Sequence, residues 1–371
     1  MSTAARFVVR DATEVDGARL REMMRGSTEA DGVRWSVEPG ADAFAALRAE
    51  TDGWTVALAE DDQQRVVGFV SVATRAVVGP DGPLRSCYVT NLKVLPEHRG
   101  RGIGDALCWH AIDLCRRAGG SRVPILMVIR SGNAKMSRRV HGPRGLPRLA
   151  RLTTVQVHSV PAHRAASIAT ERRLDVSEAR PGDLEEMAAL AATVASERQF
   201  APAMEAAGLA RRIEAAPGLD LSDHIVARSG GRIVGWIGWW DELALREVRI
   251  SGFTLMGAAR RGVQDVAARL TRARRPASVG DRVGCLRALQ LCVPTHRPDV
   301  FRALIAASAR RKAQDCSWLK IALDVRDPLA GAMHGLRSHV VAFDARLTSP
   351  SGADDVPHAD DRPLHLDAAL I

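Results

Sequence analysis

Gly100, Gly102 and Gly104 stand at alternate positions, with Arg99 and Arg101 beside them. No other stretch of this 371-residue chain is better suited to chemistry. They follow an apolar run of strand type, Val89 to Leu95, and precede a run of helical periodicity, Asp105 to Arg117. Glycine has no Cβ, so such a turn can take positive φ and let a ligand approach the backbone. The helix start behind it offers unpaired N–H groups and the positive end of a dipole. The two arginines add charge-assisted donors. Together these features predict a polyanion on the turn, and a pyrophosphate fits best.

The pattern excludes two common phosphate loops. No Gly-Lys-Ser/Thr follows, so it is not a Walker turn. The third glycine of a dinucleotide fingerprint, counted from Gly100, would fall on Asp105. What remains is Arg-x-x-Gly-x-Gly, at Arg99, Gly102 and Gly104, preceded by Val94-Leu95-Pro96-Glu97. This resembles motif A of the GCN5-related N-acetyltransferases, in which the turn holds the pyrophosphate of acetyl-coenzyme A.

That resemblance implies a set of roles. Arg99, Gly100, Arg101, Gly102, Ile103 and Gly104 would bind the cofactor, and acetyl-CoA would be the co-substrate. The strand Asn91 to Val94 would pair with the pantetheine arm, through groups at Leu92 and Val94. The N–H near Leu92 would polarise the thioester carbonyl, a task that suits fixed backbone donors. Ser131-Gly132-Asn133 resembles motif B, whose helix starts with Asn133 and contacts the cofactor arm; Asn133 would also cap that helix. Family members often carry a Tyr on that helix as the acid that reprotonates the thiolate. Here, counting forward from Asn133 places Val140 at that position, and counting back from Gly145-Leu146 places His141. The only Tyr is Tyr88. His141 is therefore the candidate acid, because imidazole titrates near neutrality. Glu97, Tyr88 and Asn91 are the polar groups nearest the turn, with Glu97 the candidate base and a water chain the alternative. Glu29, Asp31 and Glu38 are candidate contacts to the acceptor, a primary amine on a peptide or small molecule.

The elements that must position these residues occur twice. Phe7 to Asp16 followed by a helix to Met24 is echoed by Leu174 to Asp183 and a helix to about Ala192. The hairpin around Val66-Val67-Gly68-Phe69-Val70 is echoed by Ile233-Val234-Gly235-Trp236-Ile237. Leu95-Pro96-Glu97-His98-Arg99 has a counterpart in Val293-Pro294-Thr295-His296-Arg297, which continues as Pro298-Asp299-Val300-Phe301 and lacks the glycines. Pro298 has no N–H, and Val300 and Phe301 fill the space a pyrophosphate needs, so the second copy should not hold the cofactor this way.

The expected fold is α/β (α+β): two tandem domains, each a mixed, mostly antiparallel central sheet flanked by helices. Residues 1–158 form the expected catalytic domain, 159–172 a linker, 173–347 a degenerate second domain and 348–371 a disordered tail. An insertion of about Asp241 to Gly284 carries an arginine-rich helix, Ala258 to Arg275.

Composition narrows the class. No run of eighteen apolar residues exists, so no membrane span is expected, and no apolar leader opens the chain; a cytoplasmic location follows. Six cysteines without a Cys-x-x-Cys pair read as buried thiols, with no metal. A net charge of +9 raises nucleic acid as a partner, but the arginines are scattered and aromatics are only 4%, which argues against it. Two other readings remain at this stage: a non-catalytic acyl-CoA-binding regulatory module, and an acetyltransferase of aminoglycosides or thiol precursors.

Overall fold

The computed structural model describes residues 7–30, 32–42, 44–79, 82–137, 141, 146–169, 173–271, 277–312, 316–352, 359–368 and 371. In chain order the strands are β1 (Phe7–Asp11), β2 (Gly26–Ala30), β3 (Val33–Pro39), β4 (Gly53–Asp61), β5 (Val66–Gly79), β6 (Gly82–Val94), β7 (Ile125–Arg130), β8 (Ala150–Pro161), β9 (Asp175–Glu178), β10 (His224–Ser229), β11 (Arg232–Asp241), β12 (Arg246–Phe253), β13 (Cys285–Cys292), β14 (Trp318–Asp324) and β15 (His339–Thr348). The helices are α1 (Gly17–Met24), α2 (Ala45–Glu50), α3 (Ile103–Gly119), α4 (Ala134–Ser137), α5 (Ala162–Ala166), α6 (Leu184–Ala195), α7 (Ala206–Ala215), α8 (Leu255–Thr271) and α9 (Pro298–Lys312).

One 12-stranded sheet runs through the molecule in the order β1-β4-β5-β6-β7-β15-β8-β14-β13-β11-β10-β9. Only β6–β7 and β13–β14 pair in parallel; the other pairs are antiparallel. Helices cover both faces, which explains why central strands read as unbroken apolar runs. Val56, Ala57, Leu58 and Ala59 are all buried, with Val56 and Leu58 in one core and Ala57 and Ala59 in the core under α3.

The repeated sequence elements use the same local devices. Asp16 accepts the N–H of Thr13 at 2.9 Å at the start of α1, and Asp183 accepts that of Arg180 at 2.8 Å at the start of α6. Each carboxylate closes the turn before its helix. Each hairpin carries a glycine where the following crossover helix touches the sheet. A Cβ on Gly68 would meet Leu107 and Ile103 of α3 at 3.0 and 3.2 Å, and one on Gly235 would meet Val300 of α9 at 2.5 Å.

Strand pairing departs from two self-contained units side by side. β8 pairs with β14 from Trp318↔Pro161 to Asp324↔Val155, and β15 pairs with β7 from Phe343↔Arg130 to Thr348↔Ile125. β8 and β15 also pair with each other, so each half completes its sheet with the last strand of the other. The expected linker is therefore core over its first part. β8 continues through residue 158 to Pro161, and Val160, Ala165 and Ile168 are buried in the rear core.

The tail from 348 is also corrected. Over the described residues 359–368 it packs between the halves, with Leu364, Leu366 and Ala368 buried. Asp367 accepts from Arg75 Nη2 at 3.1 Å and from the N–H of Gln290 at 2.6 Å. Arg287 Nη1 donates to Ala368 O at 2.7 Å. Its polar composition suggested disorder, yet alternate apolar residues and one well-partnered carboxylate suffice to seat it.

The insertion after β11 is not a detached element. Its strand β12 pairs with β3, and with β2 they form a separate three-stranded sheet. The helix expected at 258–275 is α8, which starts three residues earlier; residues 272–276 lie outside the described residues. Among the described residues no helix is long and apolar enough to cross a membrane.

Candidate functional site

The parallel pair β6–β7 is joined only from Cys87↔Ile125 to Val89↔Met127. Beyond those residues β6 runs on to Val94 and β7 to Arg130 without pairing to each other. The far edge of β6 is taken by β5 and that of β7 by β15. Two backbone edges thus face each other across a wedge, with peptide groups that need partners.

A β-bulge deforms β6 inside this wedge. Asn91 and Leu92 together stand opposite Val70, between the pairs Phe69↔Lys93 and Ser71↔Thr90. Asn91 has φ of +58°, a conformation Asn adopts more readily than most residues. The bulge turns Leu92 so that it packs with Val94 on the α3 core.

At the mouth of the wedge lies the glycine turn. Gly100 and Gly102 have φ of +81° and +83°, so both require glycine. Nothing lies within 4 Å of a Cβ placed on Gly100, and Arg101 is exposed. Gly102 precedes the first residue of α3, and its carbonyl accepts the N–H groups of Asp105 and Ala106 at 3.1 and 3.0 Å. Among the described residues no protein acceptor takes the N–H of Ile103 or Gly104. Arg99 Nε donates to Val94 O at 3.1 Å, which ties the turn to the end of β6. The 17-residue α3 adds its dipole. Backbone donors, a dipole and two exposed arginines meet at one place, with Asp105 as the acidic residue of the helix's first turn.

The corresponding turn in the rear half is closed by the protein itself. The N–H of Thr295 donates to Glu197 Oε2 at 2.7 Å. Asp299 pairs with Arg297 Nη2 at 2.7 Å, and Arg297, followed by the N–H of Val300, holds its carboxyl below the usual range. Val300 and Phe301 are fully buried. The rear strand still carries the equivalent bulge: Gln290 and Leu291 stand between Trp236↔Cys292 and Gly238↔Leu289, and Gln290 has φ of +52°.

The other sequence candidates fall in different places. Glu97 is exposed in a short 3-10 turn directly after β6. Asn133 Oδ1 accepts the N–H of Met136 at 3.3 Å, so it does cap α4. His141 is exposed beyond α4; Val140 lies outside the described residues. Tyr88 is excluded as a proton donor to the wedge: it sits in the core away from α3, and burial pushes its hydroxyl up to about 12. Glu38 is on β3 and pairs with Arg25 at 2.8 Å. The Glu29 side chain and all of Asp31 are outside the described residues. Among the described residues no three His, Cys, Asp or Glu side chains gather as metal ligands.

One positioning residue gave no sequence signal. Lys93, next to the bulge, donates its ammonium to the carbonyls of Met23 and Arg25, the latter at 3.2 Å. It anchors the end of α1, and hence the β2–β3 hairpin, to the wedge. Burial and then the charge of Arg99 lower its pKa.

Residues 19–141, from α1 through the bulge, the glycine turn and α4, match the model of the acetyltransferase (GNAT) family. The match covers about a third of the chain. Its wedge, bulge and glycine turn all lie inside that match. No curated protein sequence matches the chain. Among solved structures, a GCN5-related N-acetyltransferase from Sphaerobacter thermophilus superposes with a TM-score of 0.56 at 13% identity, over 95% of this chain and 97% of that one. The glucosamine N-acetyltransferase region of a fungal multi-domain GH3 β-N-acetylglucosaminidase gives 0.59 at 14%, over 92% of this chain. The present chain spans only 38% of that fungal protein. Saccharomyces cerevisiae N-myristoyltransferase with bound myristoyl-CoA gives 0.61 at 8%, over 99% of this chain and 86% of that one. Identities this low establish a shared fold: a large, mostly antiparallel sheet flanked by helices.

Proposed function

We propose that the chain is an acyl-CoA-dependent N-acyltransferase whose front half binds acetyl-CoA and transfers the acetyl group to a primary amine. The observation that carries this reading is the wedge between β6 and β7 with the N-terminus of α3 and its positive-φ glycine turn at its mouth. The pyrophosphate lies on residues 99–104, held by backbone N–H groups and arginine. The pantetheine arm lies in the wedge and pairs with the free edge of β6 at Leu92 and Val94, as a third strand would. Asn133 bounds the arm from the α4 side. Solved structures of this fold include N-acetyltransferases and a protein with bound myristoyl-CoA.

The chemistry follows from the bulge. The N–H of Leu92 is set out of the regular ladder and points a donor at the thioester carbonyl. As the amine attacks, negative charge collects on that oxygen, and a fixed donor there stabilises it more than water would. The amine must lose a proton and the thiolate must gain one. Glu97 and His141 are the proposed base and acid, acting through solvent, because each follows the carboxyl end of one of the two splayed strands. The β2–β3–β12 sheet flanks the acceptor side, and Glu38, Glu29 and Asp31 are the proposed acceptor contacts. The rear half completes the central sheet and supplies β12; duplication of one domain accounts for the matching bulges and capping turns.

Thiol release from acetyl-CoA with a panel of primary amines tests the activity. Release above hydrolysis with at least one amine is expected. Binding of acetyl-CoA with no amine-dependent release would instead leave a non-catalytic acyl-CoA-binding module.

A further inference from the structure

We propose that the same thioester site accepts acyl-CoA with tails longer than acetyl, housed in an apolar pocket at the closed end of the wedge. This rests on the cofactor placement proposed above.

The pocket lies between α3, α4 and the sheet. It is open in part to solvent, and Val89, Cys108, Ile112, Met127, Met136 and Leu149 are among its walls. Val89 and Met127 are the last residues that join β6 to β7. The pocket therefore begins where the wedge ends. Its walls lie on the α3 face of the sheet, where Leu92 and Val94 also pack. Ile129, on the β7 side of the wedge, packs with Leu149, Met127 and Met136. The apolar surface is thus continuous from the wedge to the pocket.

Direction fixes the occupant. A cofactor anchored at Gly102 runs back along β6 towards the bulge. A thioester carbonyl held by the N–H of Leu92 then aims its alkyl end at Val89. Three residues of strand separate them, about 10 Å. An extended chain of about eight carbons covers that span at ~1.3 Å per carbon. Among the described residues no charged side chain lines the pocket, so dicarboxylic acyl groups are disfavoured. Two methionines give walls that adapt to chain shape.

The experiment is calorimetric titration of the full chain with CoA, acetyl-CoA, octanoyl-CoA and succinyl-CoA. Burial of one methylene tightens binding about fourfold. Octanoyl-CoA is expected to bind at least tenfold tighter than acetyl-CoA, and succinyl-CoA no tighter than acetyl-CoA. Cys108→Phe fills the pocket and should return octanoyl-CoA to the acetyl-CoA level. The wild-type series decides the matter even if that variant does not fold. Equal affinity for acetyl- and octanoyl-CoA overturns the pocket assignment while leaving the cofactor site intact. Failure of all four ligands to bind overturns the cofactor site and the pocket with it.

Discussion

The turn at residues 95–104 and the turn at residues 293–299 occupy equivalent places in the two halves of one sheet, yet they end in opposite electrostatic states. Both follow a strand with a positive-φ bulge, at Asn91 and at Gln290. Both lead into a crossover helix, α3 or α9. In front, two positive-φ glycines hold the backbone open and the first N–H groups of α3 have no protein acceptor among the described residues. Behind, Glu197 takes the N–H of Thr295 ahead of the helix, Asp299 takes that of Val300, and Val300 and Phe301 are fully buried. A helix N-terminus needs a negative partner. Under the proposed function the front half leaves that place to a ligand, while the rear half supplies an anion from its own chain.

Changes that act on one half only can break or sharpen this contrast. The largest effect is expected from Leu92→Pro, which deletes the bulge N–H. Loss of one such donor costs on the order of 10²–10³ in kcat. Leu92→Ala, which keeps the N–H, should retain most activity, and Leu291→Pro in the rear bulge should lower stability but not the rate of the remaining folded enzyme. Steady-state kinetics on folded fractions checks all three.

Buried neutral histidines supply the next effect, and they lie away from the front turn. Burial pushes His158, on the exchanged strand β8, down to about 4. His334 adds to the shift, and burial also lowers His224 on β10. As pH falls from about 6.5 to about 4, the unfolded chain binds a proton that folded His158 refuses. Stability should therefore fall with pH across that window, by up to about 3 kcal/mol from His158. Urea midpoints from pH 7 to 4 should show a shallower decline in His158→Gln than in wild type.

Smaller effects follow at the turns. Arg99→Ala removes both the proposed pyrophosphate donor and the bond to Val94 O. It should weaken acetyl-CoA binding by about 2 kcal/mol, read by calorimetry. Asp299→Ala, in the rear turn, should lower stability by about 1 kcal/mol, read from the denaturation midpoint, and leave cofactor affinity unchanged.

What could be read from sequence was local. The glycine turn, its degenerate copy, the Asn133 cap and the two hairpins each lie within a few residues, where spacing alone carries the signal. What could not be read was pairing at long range. Nothing in Arg246 to Phe253 names Val33 to Pro39 as its partner. Nothing in β8 or β15 says that each completes the other half's sheet, because alternating strands offer the same edge to many neighbours. Glu197 lies far in sequence from Thr295, so its closing of the rear turn left no motif. The tail was misread because composition averages over its length, while Leu364, Leu366 and Asp367 act one by one. The wedge was invisible too: its existence depends on where two strands stop pairing.

The central claim is that one diphosphate site exists per chain and that it is the front turn. Titration of acetyl-CoA into wild type and Gly102→Asp, with the stoichiometry fitted, tests it most directly. One equivalent bound by wild type, and affinity lowered on the order of 100-fold by a side chain that must take positive φ and adds negative charge, is the expected result. Two equivalents per chain, or one equivalent held equally well by Gly102→Asp, would contradict it.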